Sequence, residues 1–202
     1  MNSNCRIFFL VVLLAGIQGC KSQSSLSHLD DNDVDPQPEE PTILPIQEKY
    51  GEIIGVPPEK VTNLDLYEFI ESWIGTPYKM GGEDKAGIDC SFFVQYLYHD
   101  VYNKLIERTA ERQFMSPDTD KFRGQEYLQE GDLLFFNSEG AQYLPITHVG
   151  VYLDNQRFVH AASNHDAEGH SGVQISNLSD SYWQKMFVAA GRKPINTSAE
   201  NN

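Results

Sequence analysis

Downstream of about residue 130 the hydrophobic pattern changes from helical spacing to that of strands, and this change restricts the fold more than any other feature. Apolar runs at 133–136, 148–153, 157–161, 173–176 and 187–192 alternate with turn residues such as Glu130-Gly131-Asp132 and Asp154-Asn155. Short runs rich in Val, Ile and Phe, bounded by Gly, Asn and Asp, read as strands. Upstream the spacing is helical. Leu64, Leu66, Tyr67, Ile70 and Ile74 form one apolar stripe, opened by Thr62 or Asn63 as N-cap. Phe93, Val94, Leu97, Tyr98 and Val101 form a second over residues 91–102, with Asp89 as its N-cap. A short helix is expected at 109–114. Residues 43–58 contain Pro45, Gly51, Gly55, Pro57 and Pro58 and read as irregular, apart from a short helix near Gln47. Helices followed by strands predict an α+β domain with a mainly antiparallel sheet.

Cys90 falls in the first turn of the second helix. Unpaired N–H groups and the helix dipole favour a thiolate there, by about 0.3–1 kcal/mol. That is too little to hold a thiolate at neutral pH without a second cation, which a protonated histidine supplies. His148 and His160 lie on consecutive strand runs, and the loop between them decides whether they can cooperate. Cross-strand partners face the same side of a sheet. A two-residue loop at Asp154-Asn155 would pair His148 with Ala161 and turn His160 to the opposite face. A three-residue loop, or a bulge of equal effect, puts both imidazoles on one face. An odd loop is therefore expected, with Asp154 or Asn155 left-handed. Without those histidines, Cys90 would read as an inert core cysteine.

The chain has 202 residues, three cysteines and a net charge of −14. That length fits one domain plus appendages. The charge argues against a nucleic-acid groove and against electrostatic docking on anionic lipid. Arg6 precedes an apolar run at 7–17 that suits a signal peptide and is short for a membrane span. The run ends Ala15-Gly16-Ile17-Gln18-Gly19-Cys20, which resembles a bacterial lipoprotein signal. The resemblance implies cleavage before Cys20 and a membrane anchor through lipid on that residue. The expected layout is a signal peptide at 1–19, lipidated Cys20 opening a tether at 20–42, a domain at 43–193 and a polar tail at 194–202. The tether carries Asp30, Asp31, Asp33, Asp35, Glu39 and Glu40 with Pro36, Pro38 and Pro41, and is expected to be disordered.

The domain motifs together resemble the NlpC family of papain-like cell-wall peptidases, in particular its small lipoprotein murein endopeptidases. The matching residues are Gly75-Thr76-Pro77-Tyr78, Gly81-Gly82, Gly87-Ile88-Asp89-Cys90-Ser91 and Gly131-Asp132-Leu133-Leu134-Phe135-Phe136. His148-Val149-Gly150-Val151-Tyr152, Phe158-Val159-His160-Ala161 and Ser181-Tyr182-Trp183 follow in order. The resemblance implies a papain-like core, with a Cys-bearing helix packed on the sheet that carries the histidines. It implies Cys90 as nucleophile, His148 as base and His160 as the residue orienting His148. Tyr78 and the backbone N–H of Cys90 would stabilise the oxyanion, with Asp89 and Ser91 lining the substrate groove, where Asp89 could pair with a stem-peptide amine. Arg108 and Gln113 match a loosely recurring family stretch, for which the resemblance allows a substrate contact.

The implied reaction is hydrolysis of peptidoglycan stem peptides through a thioester, without metal or cofactor, by an exported lipoprotein on the periplasmic side of an outer membrane. A monomer is the default. The expected bond is the D,D cross-link between diaminopimelate and D-alanine. The alternatives are the bond between γ-D-glutamate and the diamino acid, and a non-catalytic peptidoglycan-binding lipoprotein. Phe92 stands where the family usually has Gly, and Met80 where many members have an aromatic residue; Phe92 would either narrow the groove or pack outward. His165, Asp166, Glu168 and His170 lack the spacing of a closed zinc site and read as a solvated loop.

Overall fold

The computed structural model describes residues 42–163 and 171–195. The expected signal peptide, Cys20, almost all of the tether and most of the polar tail lie outside these residues, as do His165, Asp166, Glu168 and His170.

Helix α1 spans Pro45–Ile54 and α2 spans Leu64–Trp73. A two-stranded hairpin, β1 at Glu83–Asp84 and β2 at Gly87–Ile88, leads into α3 at Cys90–Tyr102. Helix α4 covers Ala110–Met115 and β3 covers Asp120–Phe122. The remaining strands are β4 (Leu133–Phe136), β5 (His148–Tyr152), β6 (Arg157–Ala162), β7 (Gly172–Asn177) and β8 (Phe187–Arg192), with α5 at Ser181–Met186 before the last. The main sheet has six strands in the order β3-β8-β4-β5-β6-β7, and every neighbouring pair is antiparallel. This is the expected α+β architecture.

Local chemistry accounts for the helix ends. Asn63 accepts from the N–H of Leu66 and opens α2; Asp89 accepts from the N–H of Phe92 at 2.8 Å and opens α3. The lead-in is more regular than its composition suggests. Pro45 sits at the first turn of α1, where its missing N–H costs nothing, and Gly55 ends the helix at φ 72°. Gly51 lies inside α1 because a Cβ there would come within 2.9 Å of the Val56 carbonyl. The residues that read as breakers are thus a start, a stop and a close approach.

The sheet separates two apolar layers. Phe135, Val149, Val151, Val159 and Ala161 pack with Leu66, Ile70, Phe93, Val94 and Leu97 of α2 and α3. Leu134, Phe136, Tyr152 and Phe158 face the other way and pack with Leu178 and with Trp183 of α5. Strand alternation produces this division. It also assigns His148 and His160 to the α5 side, with Phe136 and Phe158 as ring neighbours.

The β5–β6 hairpin has the odd loop. Val151 pairs with Val159 and Tyr152 with Phe158, which leaves Asp154, Asn155 and Gln156 as a three-residue turn. Asn155 is left-handed at φ 44°, and so is Gln156 at φ 64°. Asn155 Nδ2 donates to the carbonyl of Ile54 at 3.1 Å, tying the turn to the end of α1. β5 and β6 pair only at Val151–Val159 and Tyr152–Phe158, so the ladder is not continued toward His148.

Candidate active site

Cys90 is the first residue of α3, is 6% exposed, and is the one free cysteine among the described residues. Burial pushes its thiol up to about 11, and the charge of Asp89 adds to the effect. Hydrogen bonding from the backbone N–H groups of Val149, Ser91 and Cys90 acts in the opposite direction without overcoming it. The helix terminus supplies its donors as expected, but by itself it does not yield a thiolate. The contact with Val149 also locates the sulfur: it meets the strand at the residue that follows His148.

The two imidazoles are joined. His148 Nε2 and His160 Nδ1 lie 2.9 Å apart, and His160 Nε2 lies 2.9 Å from Ser176 Oγ on β7. His160 is fully buried. Trp183 stacks on His148 with ring centroids 5.5 Å apart and meets His160 edge-on at 4.8 Å. Gly150 makes this layer possible. A Cβ there would lie 2.8 Å from Phe158 Cδ2, 3.0 Å from the Val159 carbonyl and 3.2 Å from His160 Cβ.

Tyr78 is half-buried beside the site. Burial raises its phenol above the usual value, and the charges of Cys90 and Asp89 raise it further. Asp89 and Ser91 are both buried and engaged with each other and with Arg108. Arg108 Nη1 and Nη2 lie 3.2 and 2.8 Å from the two carboxylate oxygens of Asp89, and Nη1 also reaches Ser91 Oγ at 3.0 Å. Burial alone would raise the Asp89 carboxyl, but hydrogen bonds from Arg108, Phe92 N–H and Ser91 hold it below the usual carboxylate range. Arg108 belongs to a stretch in which the resemblance allows a substrate contact; the bonds it makes here are to Asp89 and Ser91. Gln113 is buried, with Nε2 donating to the carbonyls of Ser91 and Glu107. Phe92 packs edge-on against Tyr96 at 4.7 Å and lies under the Arg108 guanidinium at 4.3 Å.

Ser176 had no signal in the sequence, since its placement depends on β6–β7 register across residues that carry no motif. Trp183 appeared only as part of a matching motif, and its contact with both histidines required the fold. Among the described residues no group of three or more His, Cys, Asp and Glu is arranged to hold a metal ion.

A buried cysteine at a helix N-terminus, set against histidines on an antiparallel sheet, defines an α+β protein of the papain-like class. The chain belongs to the NlpC/P60 family, whose model matches residues 75–192. It is 36% identical over 128 residues to a probable endopeptidase NlpC homolog of Haemophilus influenzae, covering 63% of this chain and 61% of the relative. It is 34% identical over 137 residues to the murein DD-endopeptidase MepS/murein LD-carboxypeptidase of Escherichia coli, covering 65% of each. Among solved structures it is similar to a lipoprotein-like NLP/P60 protein of Staphylococcus aureus. There the TM-score is 0.55 and identity 29%, over 66% of this chain and 42% of that one. The match thus spans about six-tenths of the length of these curated relatives.

Proposed function

We propose that this chain is an exported, lipid-anchored cysteine peptidase that hydrolyses amide bonds of peptidoglycan stem peptides. The D,D cross-link between diaminopimelate and D-alanine is the bond we assign. Cys90 is the nucleophile. His148 takes its proton, forming a thiolate–imidazolium pair, and later protonates the leaving amine. His160 holds His148, Tyr78 and the Cys90 N–H receive the oxyanion, and water then hydrolyses the thioester. Lipid on Cys20 anchors the protein at the periplasmic face of an outer membrane.

One observation carries the reading. The Cys90 sulfur is held by the N–H of the residue after His148, while Nε2 of His148 is already taken by His160. In this reading Nδ1 is the nitrogen that takes the thiol proton. The raised thiol pKa fits this scheme: the thiol stays protonated until His148 accepts its proton. The choice of bond rests on the DD-endopeptidase names of the MepS and MepH relatives. Asp89 is already neutralised by Arg108, which weakens the expectation that it pairs with a substrate amine.

The test is digestion of purified muropeptides by the protein and by Cys90→Ala, with products identified by mass. Loss of cross-linked dimers with the native protein alone is the expected result. Shortened stems instead would move the assignment to the γ-D-glutamyl bond. Unchanged muropeptides with both folded proteins would leave a peptidoglycan-binding lipoprotein.

A further inference from the structure

We infer that Ser176 is a positioning residue that fixes the direction of the hydrogen-bond chain behind the nucleophile, and with it the tautomer of His148; this rests on the proposed cysteine peptidase reading. Two contacts of 2.9 Å link Ser176 Oγ to His160 Nε2, and His160 Nδ1 to His148 Nε2. Each imidazole is neutral when it carries a single hydrogen, so the chain can run in only two directions. In the first, His148 Nε2–H donates to His160 Nδ1, and His160 Nε2–H donates to Ser176 Oγ. His148 Nδ1 then holds the lone pair that the proposed general base needs. In the second, Ser176 donates to His160 Nε2, and His160 Nδ1–H donates to His148 Nε2. His148 Nδ1 then carries the hydrogen and cannot accept a proton. Only the first direction supports catalysis, and it requires an acceptor at position 176.

Burial gives this requirement its weight. His160 is fully buried, so removing the Ser176 hydroxyl takes an acceptor from its Nε2–H where the ring is out of reach of solvent. Removing the hydroxyl therefore disfavours the productive direction. The proton balance of the proposed reaction is unchanged, because the thiol proton goes to His148 Nδ1 and from there to the leaving amine. Ser176 releases no proton; it accepts a hydrogen bond throughout.

The position also suits the role. His160 pairs directly with Gln174 on β7, and Ser176 pairs with Phe158, two residues along on the same face. The hydroxyl thus reaches His160 diagonally, on the side away from His148. Trp183 holds the rings of both histidines against the same layer and limits the alternative of ring rotation.

The test uses the full chain labelled with nitrogen-15 in histidine, alongside kinetics on cross-linked muropeptides. In the native protein, His160 is expected to carry hydrogen on Nε2 and His148 on Nε2. In Ser176→Ala the His160 hydrogen should shift toward Nδ1, and kcat should fall about ten- to a hundredfold with KM little changed. Ser176→Thr, which keeps a hydroxyl on a strand, should restore both. Native His160 protonated on Nδ1, or unchanged spectra and kcat in Ser176→Ala, would overturn the inference. The native spectrum and its shift in Ser176→Ala without any peptidase activity would support the tautomer assignment and sink the proposed function instead.

Discussion

At the scale of single residues, the buried thiol gives a stability signature that does not depend on substrate. The folded chain holds the Cys90 proton up to about pH 11, while the unfolded chain releases it near the usual thiol pKa. Above that usual value the unfolded state binds fewer protons, so stability falls as pH rises until the folded thiol also ionises. The native protein should therefore lose about 2 kcal/mol relative to Cys90→Ala between roughly pH 9 and pH 11. Paired denaturant titrations at the two pH values would show it, and parallel curves would disprove it. Gly150 is the second residue to test. Gly150→Ala drives a methyl into Phe158, His160 and the Val159 carbonyl. It should cost about 1–3 kcal/mol and disturb the His148–His160 contact. Thermal unfolding and histidine chemical shifts read the two effects separately.

At the scale of elements, the start of α3 joins a cap, an ion pair and an aromatic contact. Asp89 caps the helix and binds Arg108, and Phe92 supports Arg108 from below. Asp89→Asn keeps a competent cap and loses the charge pair, so it should cost about 2 kcal/mol at neutral pH. The Asp89 carboxyl is held below its ordinary pKa, so its contribution is full above the unfolded value near 4. It is lost as pH falls through the lower folded value, and the difference between native protein and variant should shrink with it. Urea titrations across that acid range test the sign.

Much of this element was legible in the sequence, because an N-cap and an apolar stripe are local features. So was the hairpin rule, since side-chain parity follows from counting residues. The lock of Arg108 onto Asp89 was not legible, because it joins residues from separate segments and depends on where the 103–109 connection places Arg108 against the start of α3. The role of α1 was hidden for another reason. Its prolines and glycines carry helix-breaking propensities, and only packing reveals that they occupy the few positions where those propensities do no harm.

At the scale of the whole molecule, two layers on opposite faces of one sheet meet at the site. Cys90 belongs to the helical layer and the histidines to the α5 layer, and the sulfur meets β5 at Val149, beyond the paired part of the β5–β6 ladder. Register between the layers is thus a condition for the proposed activity, so a change in either should register in the other. The proposed anchor has its own test. Cys20→Ala should abolish incorporation of labelled palmitate and move the protein out of the membrane fraction. Retained label would remove Cys20 as the lipid site.

The bond from Asn155 to the last turn of α1 sets a practical limit on how the protein can be trimmed. The family match begins at Gly75, whereas this support begins thirty residues earlier, at Pro45. A version cut to the family boundary would keep the cysteine and both histidines yet leave Asn155 without its α1 partner at the turn that sets their common face. Such a fragment should be less stable than one starting before Pro45, and its hairpin amides should exchange faster with solvent. Equal exchange in the two would show that the hairpin holds its register unaided. For anyone producing or redesigning this domain, the recognisable sequence is therefore shorter than the packed unit.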